Sequence, residues 1–127
     1  MCGRARASLA PAVLHRNARA LASEMAKHGG ASKSMQTVAV IDLNLCTRRD
    51  NFSPGLFSPV LYNDAVTGLT LRAMKWGLVP SFIKASDETP DHFRMFNARS
   101  ETINEKRSFS RLVGRQRCVI LLNGFYE

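Results

Sequence analysis

The chain has 127 residues, which suits one domain with a single modest core. Its formal net charge of +8 and sequence pI of about 10.1 favour a polyanionic partner, nucleic acid first, although a basic surface alone also accounts for them. No run of about eighteen apolar residues exists, and the N-terminal stretch lacks the apolar block of a secretory signal. We therefore expect no membrane span, while the Arg- and Ala-rich start leaves an organelle transit peptide open.

Cysteine usage bears on compartment and cofactors. The three cysteines, Cys2, Cys46 and Cys118, are odd in number and widely spaced, which favours a reducing compartment over a disulfide framework. None of the three histidines stands at zinc-binding spacing from a cysteine. We expect neither a metal nor a cofactor.

The first predicted element is a helix over residues 9–28, with Pro11 in its first turn and Gly29-Gly30 after its end. Apolar side chains recur at helical spacing and predict one buried face. They are Val13, Leu14, Ala18, Leu21, Ala22 and Met25.

Strands dominate the remaining prediction. A polar loop over 31–37 precedes a β-branched strand over 37–45. Short apolar runs predict three more strands, the first two joined by a hairpin at "NDAVTG" (63–68). These strands cover 58–63, 69–79 and 117–127.

A second helix is predicted over 100–113, with Ser100 as its N-cap. One long helix, antiparallel strands and a later helix together indicate an α+β fold. The apolar final strand stops at Glu127 without a turn signal, so we expect that the chain ends before the fold is complete.

The opening "MCGR" raises a chemical question, because Cys2 directly follows Met1. Chance is one explanation. The other explanation is chemical, because removal of Met1 would leave a free α-amine and a thiol on adjacent carbons. That pair can capture an aldehyde as a five-membered thiazolidine, or serve as an N-terminal nucleophile for acyl transfer. A nearby cation such as Arg4 would lower the thiol pKa.

"FNARSET" (96–102) holds a second candidate group. The Asn97 amide can orient an oxygen or an amine, and the Arg99 fork can bind two phosphate oxygens. A loop followed by a helix cap explains the same residues without function.

"NFSPG" (51–55) and "MKWGLVPSF" (74–82) combine Pro and Gly with large apolar groups. Trp76, the sole tryptophan, suits either a core position or a face for an unpaired base. Glu127, in "NGFYE", is either a solvated charge or a general acid-base group with a raised pKa.

Five motifs in this order, "MCGR", "NFSPG", "KWGLVPSF", "NARSET" and "RCVILLNGFYE", resemble the SRAP (SOS-response-associated peptidase) family of abasic-site shields. The resemblance covers most of the chain, although residues 5–49 match poorly beyond a helix. It implies an α+β fold with an antiparallel sheet or barrel core and flanking helices, with residues 1–127 as one incomplete domain.

The resemblance also implies catalytic roles. Cys2, freed of Met1, would form a thiazolidine with the ring-opened sugar of an abasic site in single-stranded DNA. Asn97 would position the aldehyde, and Glu127 would assist proton transfer in ring closure and Met1 removal.

Further positions match the family's DNA contacts. Arg4 and Arg99 would bind the DNA backbone, while Asn51, Pro54 and Trp76 would line the cleft. Trp76 would wedge or stack at a junction of single-stranded and duplex DNA. The implied protein is a monomer without a membrane partner. It would be nuclear in a eukaryote, or in the cytoplasm and nucleoid of a bacterium.

Two departures from the family pattern stand out. Asp50 precedes Asn51 where the family usually has an aromatic residue. The family's catalytic histidine lies well downstream of the glutamate, and none of His15, His28 and His92 occupies its position.

Two other functions stay open. A cysteine-type peptidase would process its own N-terminus or other chains. A non-covalent binder of modified DNA, such as 5-hydroxymethylcytosine, would bind without Cys2 in a salt-sensitive way.

Overall fold

The computed structural model describes residues 3–28, 37–81, 83 and 91–126. Helices and strands are mixed along this part of the chain, which confirms the α+β prediction, and a 3-10 helix covers Leu43–Leu45. The elements in chain order are β1 (Ala5–Ala7), α1 (Pro11–His28), β2 (Ala39–Ile41), β3 (Arg49–Phe52), β4 (Phe57–Asp64), β5 (Gly68–Lys75), α2 (Arg107–Ser110), β6 (Cys118–Ile120) and β7 (Gly124–Phe125).

The described strands form two sheets. One has the order β3-β1-β7 and is antiparallel throughout. The other has the order β2-β5-β4-β6, in which only the β2–β5 pair is parallel. Antiparallel pairing therefore prevails as predicted, but the strands of the described residues do not close into a barrel.

Helix α1 begins at Pro11, where a missing N–H costs nothing, and confirms the first predicted element. Its predicted apolar face is only partly buried, since Met25 is 45% exposed. The predicted stop at Gly29-Gly30 and residues 31–36 of the predicted loop lie outside the described residues. The helix contributes Leu14, Ala18 and Ala22 to a core completed by Val38, Leu61, Leu69 and Leu71.

Strands β4 and β5 form the predicted hairpin, in register from Phe57 opposite Lys75 to the turn. The turn is held by the Asp64 carboxylate, whose Oδ1 accepts hydrogen bonds from the backbone N–H groups of Val66 at 2.9 Å and Thr67 at 3.0 Å. This local bonding of an Asp side chain is a common way to close a turn.

Two predicted strands are shorter than expected. The 37–45 strand is regular only over Ala39–Ile41, because Asp42 has a positive φ of 55° and a 3-10 helix follows. The 69–79 strand ends at Lys75, since Gly77 turns the chain with a φ of 120°.

The predicted 100–113 helix is wrong over most of its length. Only Arg107–Ser110 is helical, and Lys106, not Ser100, precedes its first turn. Residues 100–106 form turns, with hydrogen bonds such as that from the Thr102 N–H to the Arg99 carbonyl at 3.2 Å. Thr, Ile and Asn in this stretch are weak helix formers, so isolated turns are competitive there.

The predicted 117–127 strand is divided between the two sheets, with β6 in one and β7 in the other. Leu121 packs against the helix-containing core, whereas Leu122 packs against the core of the other sheet. Asn123 fixes the crossing, because its N–H donates to the Arg6 carbonyl at 2.9 Å and its Oδ1 accepts from the Ser8 N–H at 2.8 Å.

Candidate functional site

A cavity of about 240 Å³ opens between the two sheets, and we call it the Asn97 cavity. Its wall is mostly apolar, with the Asn97 amide and the Ser58 hydroxyl as its polar side chains, and Ser58 donates a 3.4 Å hydrogen bond to the Met74 carbonyl. The lining residues are Ala5, Phe52, Ser58, Trp76, Phe96, Asn97, Ile120, Leu122 and Phe125.

Three aromatic rings form one wall of this cavity. Trp76 is stacked with Phe52 at 6.1 Å between ring centroids and an interplanar angle of 4°. The Phe96 ring meets Trp76 edge-on, at 6.1 Å and 80°. Both are favourable aromatic geometries. The wall therefore sets the position of Phe96 and, through the chain, of its neighbour Asn97.

Predicted cleft contacts meet at the same wall. Pro54 is buried in the turn after β3, and the N–H of the following Gly55 donates to the Trp76 carbonyl at 2.8 Å. The backbone N–H of Trp76 in turn donates to the Leu56 carbonyl at 3.0 Å. Trp76 itself is half-buried, and its predicted contact with DNA stays a prediction.

The N-terminal segment runs along the Asn97 cavity. A β-carbon placed on Gly3 would lie 3.7 Å from Cε2 of Phe96, so the Gly3 backbone lies against that ring. Ala5 lines the cavity itself. Cys2 lies outside the described residues, and its described neighbour is Gly3.

The C-terminal segment meets the N-terminal segment at this cavity. Ala5 pairs with Phe125 in antiparallel register, and the Tyr126 N–H donates to the Arg4 carbonyl at 3.1 Å. Glu127 lies outside the described residues. The described neighbours of the two predicted catalytic residues, Gly3 to Ala5 and Phe125 to Tyr126, are therefore held together.

Two predicted DNA contacts touch each other, one directly before β1 and the other on β3. Arg4 Nη1 donates to Asn51 Oδ1 at 3.2 Å, and both residues are exposed. Arg99 is exposed two residues beyond Asn97, which is half-buried at the cavity. The structure thus brings Arg4 to Asn51 and places Trp76 with Asn97 at one cavity.

Asp50, which departs from the family pattern, has a partner of its own. Arg6 Nε donates to Asp50 Oδ1 at 2.7 Å, and this hydrogen bond raises the pKa of Arg6. The Tyr126 hydroxyl donates to the Asp50 carbonyl oxygen at 2.9 Å. The β3 strand is thereby attached both to β1 and to the end of β7.

The other two cysteines stand apart from the Asn97 cavity and do not line it. Burial raises the pKa of the Cys46 thiol and of the Cys118 thiol. Both thiols are therefore mostly protonated at neutral pH and weakly nucleophilic.

Metal-binding groups and membrane-spanning helices are both absent from the described residues. They contain no group of three or more His, Cys, Asp or Glu side chains arranged to hold a metal ion. No helix among them combines the length and apolar character needed to cross a membrane.

Several site residues were not predicted from the sequence. Phe52 and Phe96 build the aromatic wall, Gly3 lies beside Phe96, and Asp50 with Arg6 fastens β3 to β1. A phenylalanine directly before Asn97 was a visible signal. The Arg6–Asp50 pairing needs the β1–β3 register, which the sequence does not state.

The chain is similar to proteins of one known family. The family model "SOS response associated peptidase (SRAP)" matches residues 1–127. The chain is 46% identical over 85 residues to the abasic site processing protein HMCES of Pongo abelii, which covers 61% of this chain and 24% of that protein.

More distant relatives extend the comparison. An abasic site processing protein of Saccharomyces cerevisiae is 27% identical over 106 residues, covering 84% of this chain and 28% of its own. Abasic site processing protein YobE of Bacillus subtilis is 38% identical over 77 residues, covering 61% of this chain and 33% of that protein. The chain spans about a quarter of the length of the HMCES relatives. Because the family model matches the whole chain, the chain belongs to the SOS response associated peptidase (SRAP) family.

Proposed function

We propose that this chain takes part in processing abasic sites in DNA, through a covalent bond from Cys2. Relatives from primate, yeast and Bacillus all carry the name abasic site processing protein. The substrate we propose is single-stranded DNA containing an abasic site, and the product is a thiazolidine-linked DNA–protein crosslink.

One observation carries the proposal, namely the position of Gly3 against Phe96. Gly3 follows Cys2, and Phe96 precedes Asn97, so the neighbours of a proposed nucleophile and of a proposed positioning amide lie beside each other. The Asn97 cavity of about 240 Å³ is larger than the roughly 150 Å³ apolar cavity that admits benzene, so a pentose fits in it.

The proposed chemistry needs no cofactor and balances as follows. After Met1 is hydrolysed off, the Cys2 α-amine attacks the aldehyde carbon of the ring-opened sugar, and water leaves to give an imine. The thiolate then adds to the imine carbon, and the nitrogen takes up a proton as the five-membered ring closes. The α-amine suits this step because its reference pKa, about 7.7–8.0, leaves part of it neutral near pH 7.

Five further predicted residues have a role in this proposal. Asn97 orients the sugar oxygen or the amine by hydrogen bonding from the cavity wall. Glu127 transfers protons during Met1 removal and ring closure. Arg4 and Arg99 bind backbone phosphates, with Asn51 holding the Arg4 side chain at 3.2 Å.

Charge supports a DNA partner for this site. The chain carries a formal net charge of +8, and phosphate contacts give affinity without sequence preference. An abasic lesion offers no base to read, so binding through phosphates and an aldehyde-reactive group suits it.

The test is a crosslinking assay on denaturing gels. The full chain is incubated with a single-stranded oligonucleotide that carries one abasic site. We expect an adduct that resists denaturation, disappears in Cys2→Ala, and persists in the matched Cys46→Ser/Cys118→Ser double variant. Intact mass spectrometry should show loss of Met1 before the adduct forms.

Two outcomes would reject the proposed chemistry. Equal crosslinking by Cys2→Ala would exclude the thiazolidine. Salt-sensitive binding without any adduct, unchanged in Cys2→Ala, would point to non-covalent recognition of DNA.

A further inference from the structure

A second concavity, of about 470 Å³, has none of its described lining residues in common with the Asn97 cavity, and we call it the arginine cleft. It runs between the 78–81 segment and helix α2 with the turn that follows. The polar groups in its lining are Ser81, Arg107, Ser108, Arg111 and Gln116.

Two exposed arginines give this cleft its charge. Arg107 begins α2 and Arg111 directly follows it in helical backbone conformation, and a spacing of four residues places side chains on the same helical face. Among the described residues neither takes part in an ion pair, in contrast to Arg6 with Asp50. Among the described residues that line the cleft, none is acidic.

The arginine cleft therefore presents two guanidinium groups with neutral hydroxyl and amide groups beside them. A guanidinium fork bonds two oxygens of a phosphate at once, and hydroxyl and amide groups add further donors. This donor set suits a phosphodiester, which has only acceptor oxygens.

An apolar groove of about 480 Å³ connects the arginine cleft with the Asn97 cavity. The groove shares Trp76, Phe96 and Ile120 with the Asn97 cavity. At its other end it shares Leu78, Leu112 and Gln116 with the arginine cleft. The sugar-sized Asn97 cavity, the apolar groove and the cationic arginine cleft thus follow one another across the molecule.

We propose that the arginine cleft binds two neighbouring backbone phosphates of the single strand that flanks the lesion, one through Arg107 and one through Arg111. Single-strand binding grooves generally combine a cationic track for phosphates with apolar or aromatic surface for bases. This inference rests on the proposed function for the identity of the strand, and it adds an anchor remote from the reacting atoms.

The test uses binding of undamaged single-stranded DNA, so that no crosslinking chemistry enters. Fluorescence anisotropy gives the dissociation constant of the full chain at several salt concentrations. Each phosphate contact to single-stranded DNA contributes about 0.7 to the slope of log K against log salt. The slope of Arg107→Gln/Arg111→Gln should be smaller by about 1.4 than that of the unaltered chain.

A matched control removes the same charge elsewhere. Arg16→Gln/Arg19→Gln removes two arginines from the exposed side of α1, and this helix packs on the helix-containing core. This variant should keep the slope within about 0.7 of the unaltered chain. Arg107→Lys/Arg111→Lys retains the charge and should restore most of the lost slope.

The results separate this inference from the proposed function. Equal slopes for the cleft variant and the α1 control would overturn the arginine cleft, whether or not an adduct forms. A smaller salt slope in the cleft variant, together with no adduct from the unaltered chain, would support phosphate binding by the arginine cleft and reject the crosslinking chemistry. If thermal melting shows that the double variant is unfolded, Arg107→Gln and Arg111→Gln singly should each lower the slope by about 0.7.

Discussion

The Trp76 indole donates a hydrogen bond from Nε1 to the carbonyl oxygen of Phe96 across 2.8 Å. Because Trp76 directly follows β5 and Phe96 directly precedes Asn97, this bond ties the four-stranded sheet to the segment that carries the predicted positioning amide. The ring stacking with Phe52 extends the same connection to β3.

Replacement of Trp76 by Phe should destabilise the chain even though an aromatic ring is kept. The Phe96 carbonyl loses its donor, which typically costs about 1–3 kcal/mol in a buried setting and less at this half-buried position. Urea unfolding measures the difference. Trp76→Ala should cost more, up to about 3–5 kcal/mol, because the Phe52 and Phe96 rings lose their partner. Equal stability of Trp76→Phe and the unaltered chain would show that the bond is unimportant.

Substitution of Gly77 should be far more damaging than substitution of Gly68. Both have positive φ, 120° and 71°. A β-carbon on Gly77 would clash with the His92 carbonyl oxygen, whereas no described atom lies within 4 Å of a β-carbon on Gly68. Gly68→Ala should cost roughly 1–2 kcal/mol from backbone strain alone. Gly77→Ala should exceed about 4 kcal/mol, since backbone must move.

Thermal melts of the two glycine variants, made side by side, give the comparison. The Gly77 backbone is also held by the His92 ring, whose Nδ1 donates to the Gly77 carbonyl at 3.0 Å. Similar losses for both variants would contradict the close approach to His92.

Acidification should weaken the β4–β5 hairpin through Asp64. The backbone N–H groups of Thr67 and then Val66 lower the pKa of the Asp64 carboxyl. A carboxyl whose folded pKa is below its unfolded value stabilises the fold fully above the unfolded pKa, near 3.9, and this contribution is lost as pH falls through the folded pKa.

The measurement is unfolding of Asp64→Asn and the unaltered chain between pH 7 and pH 2. The Asn side chain keeps an acceptor oxygen for the two N–H groups but does not titrate. The unaltered chain should have the larger free energy of unfolding at pH 7, and this difference should be lost below about pH 4. A difference that stays constant across this range would exclude Asp64 as the titrating group.

The thiols of Cys46 and Cys118 should react slowly with alkylating agents at neutral pH. Burial raises the pKa of both, so little thiolate is present and the reaction should accelerate as pH rises towards 9 and beyond. Peptide mapping after brief maleimide treatment measures each site. Faster labelling of either site than of free cysteine at pH 7 would contradict the raised pKa values.

The sequence carried enough information for the elements that depend on local patterns. The 9–28 helix has a start signal and an apolar face, and the hairpin at 63–68 has a turn residue, Asp64, that bonds its own backbone. These features act within a few residues, so they can be recognised without knowledge of the fold.

The sequence predictions failed where contacts between residues distant in the chain determine the structure. The apolar run 117–127 gave no local sign of a break, and the break at Asn123 exists because its side chain binds Ser8, 115 residues away. β1 is too short to be recognised as a strand, and it is ordered by β3 on one side and β7 on the other. The Asn97 cavity could not be predicted because it is formed between sheets whose pairing was unknown.

The central place of β1 has a consequence for the timing of folding. A strand near the start of the chain is flanked by strands that begin at residues 49 and 124, so its second neighbour is synthesised more than a hundred residues later. Contacts so distant in sequence form late and slowly. The segment next to Cys2 therefore acquires its second neighbouring strand only after residue 124 has been synthesised, and a shorter nascent chain would not yet hold the arrangement that we propose for Cys2.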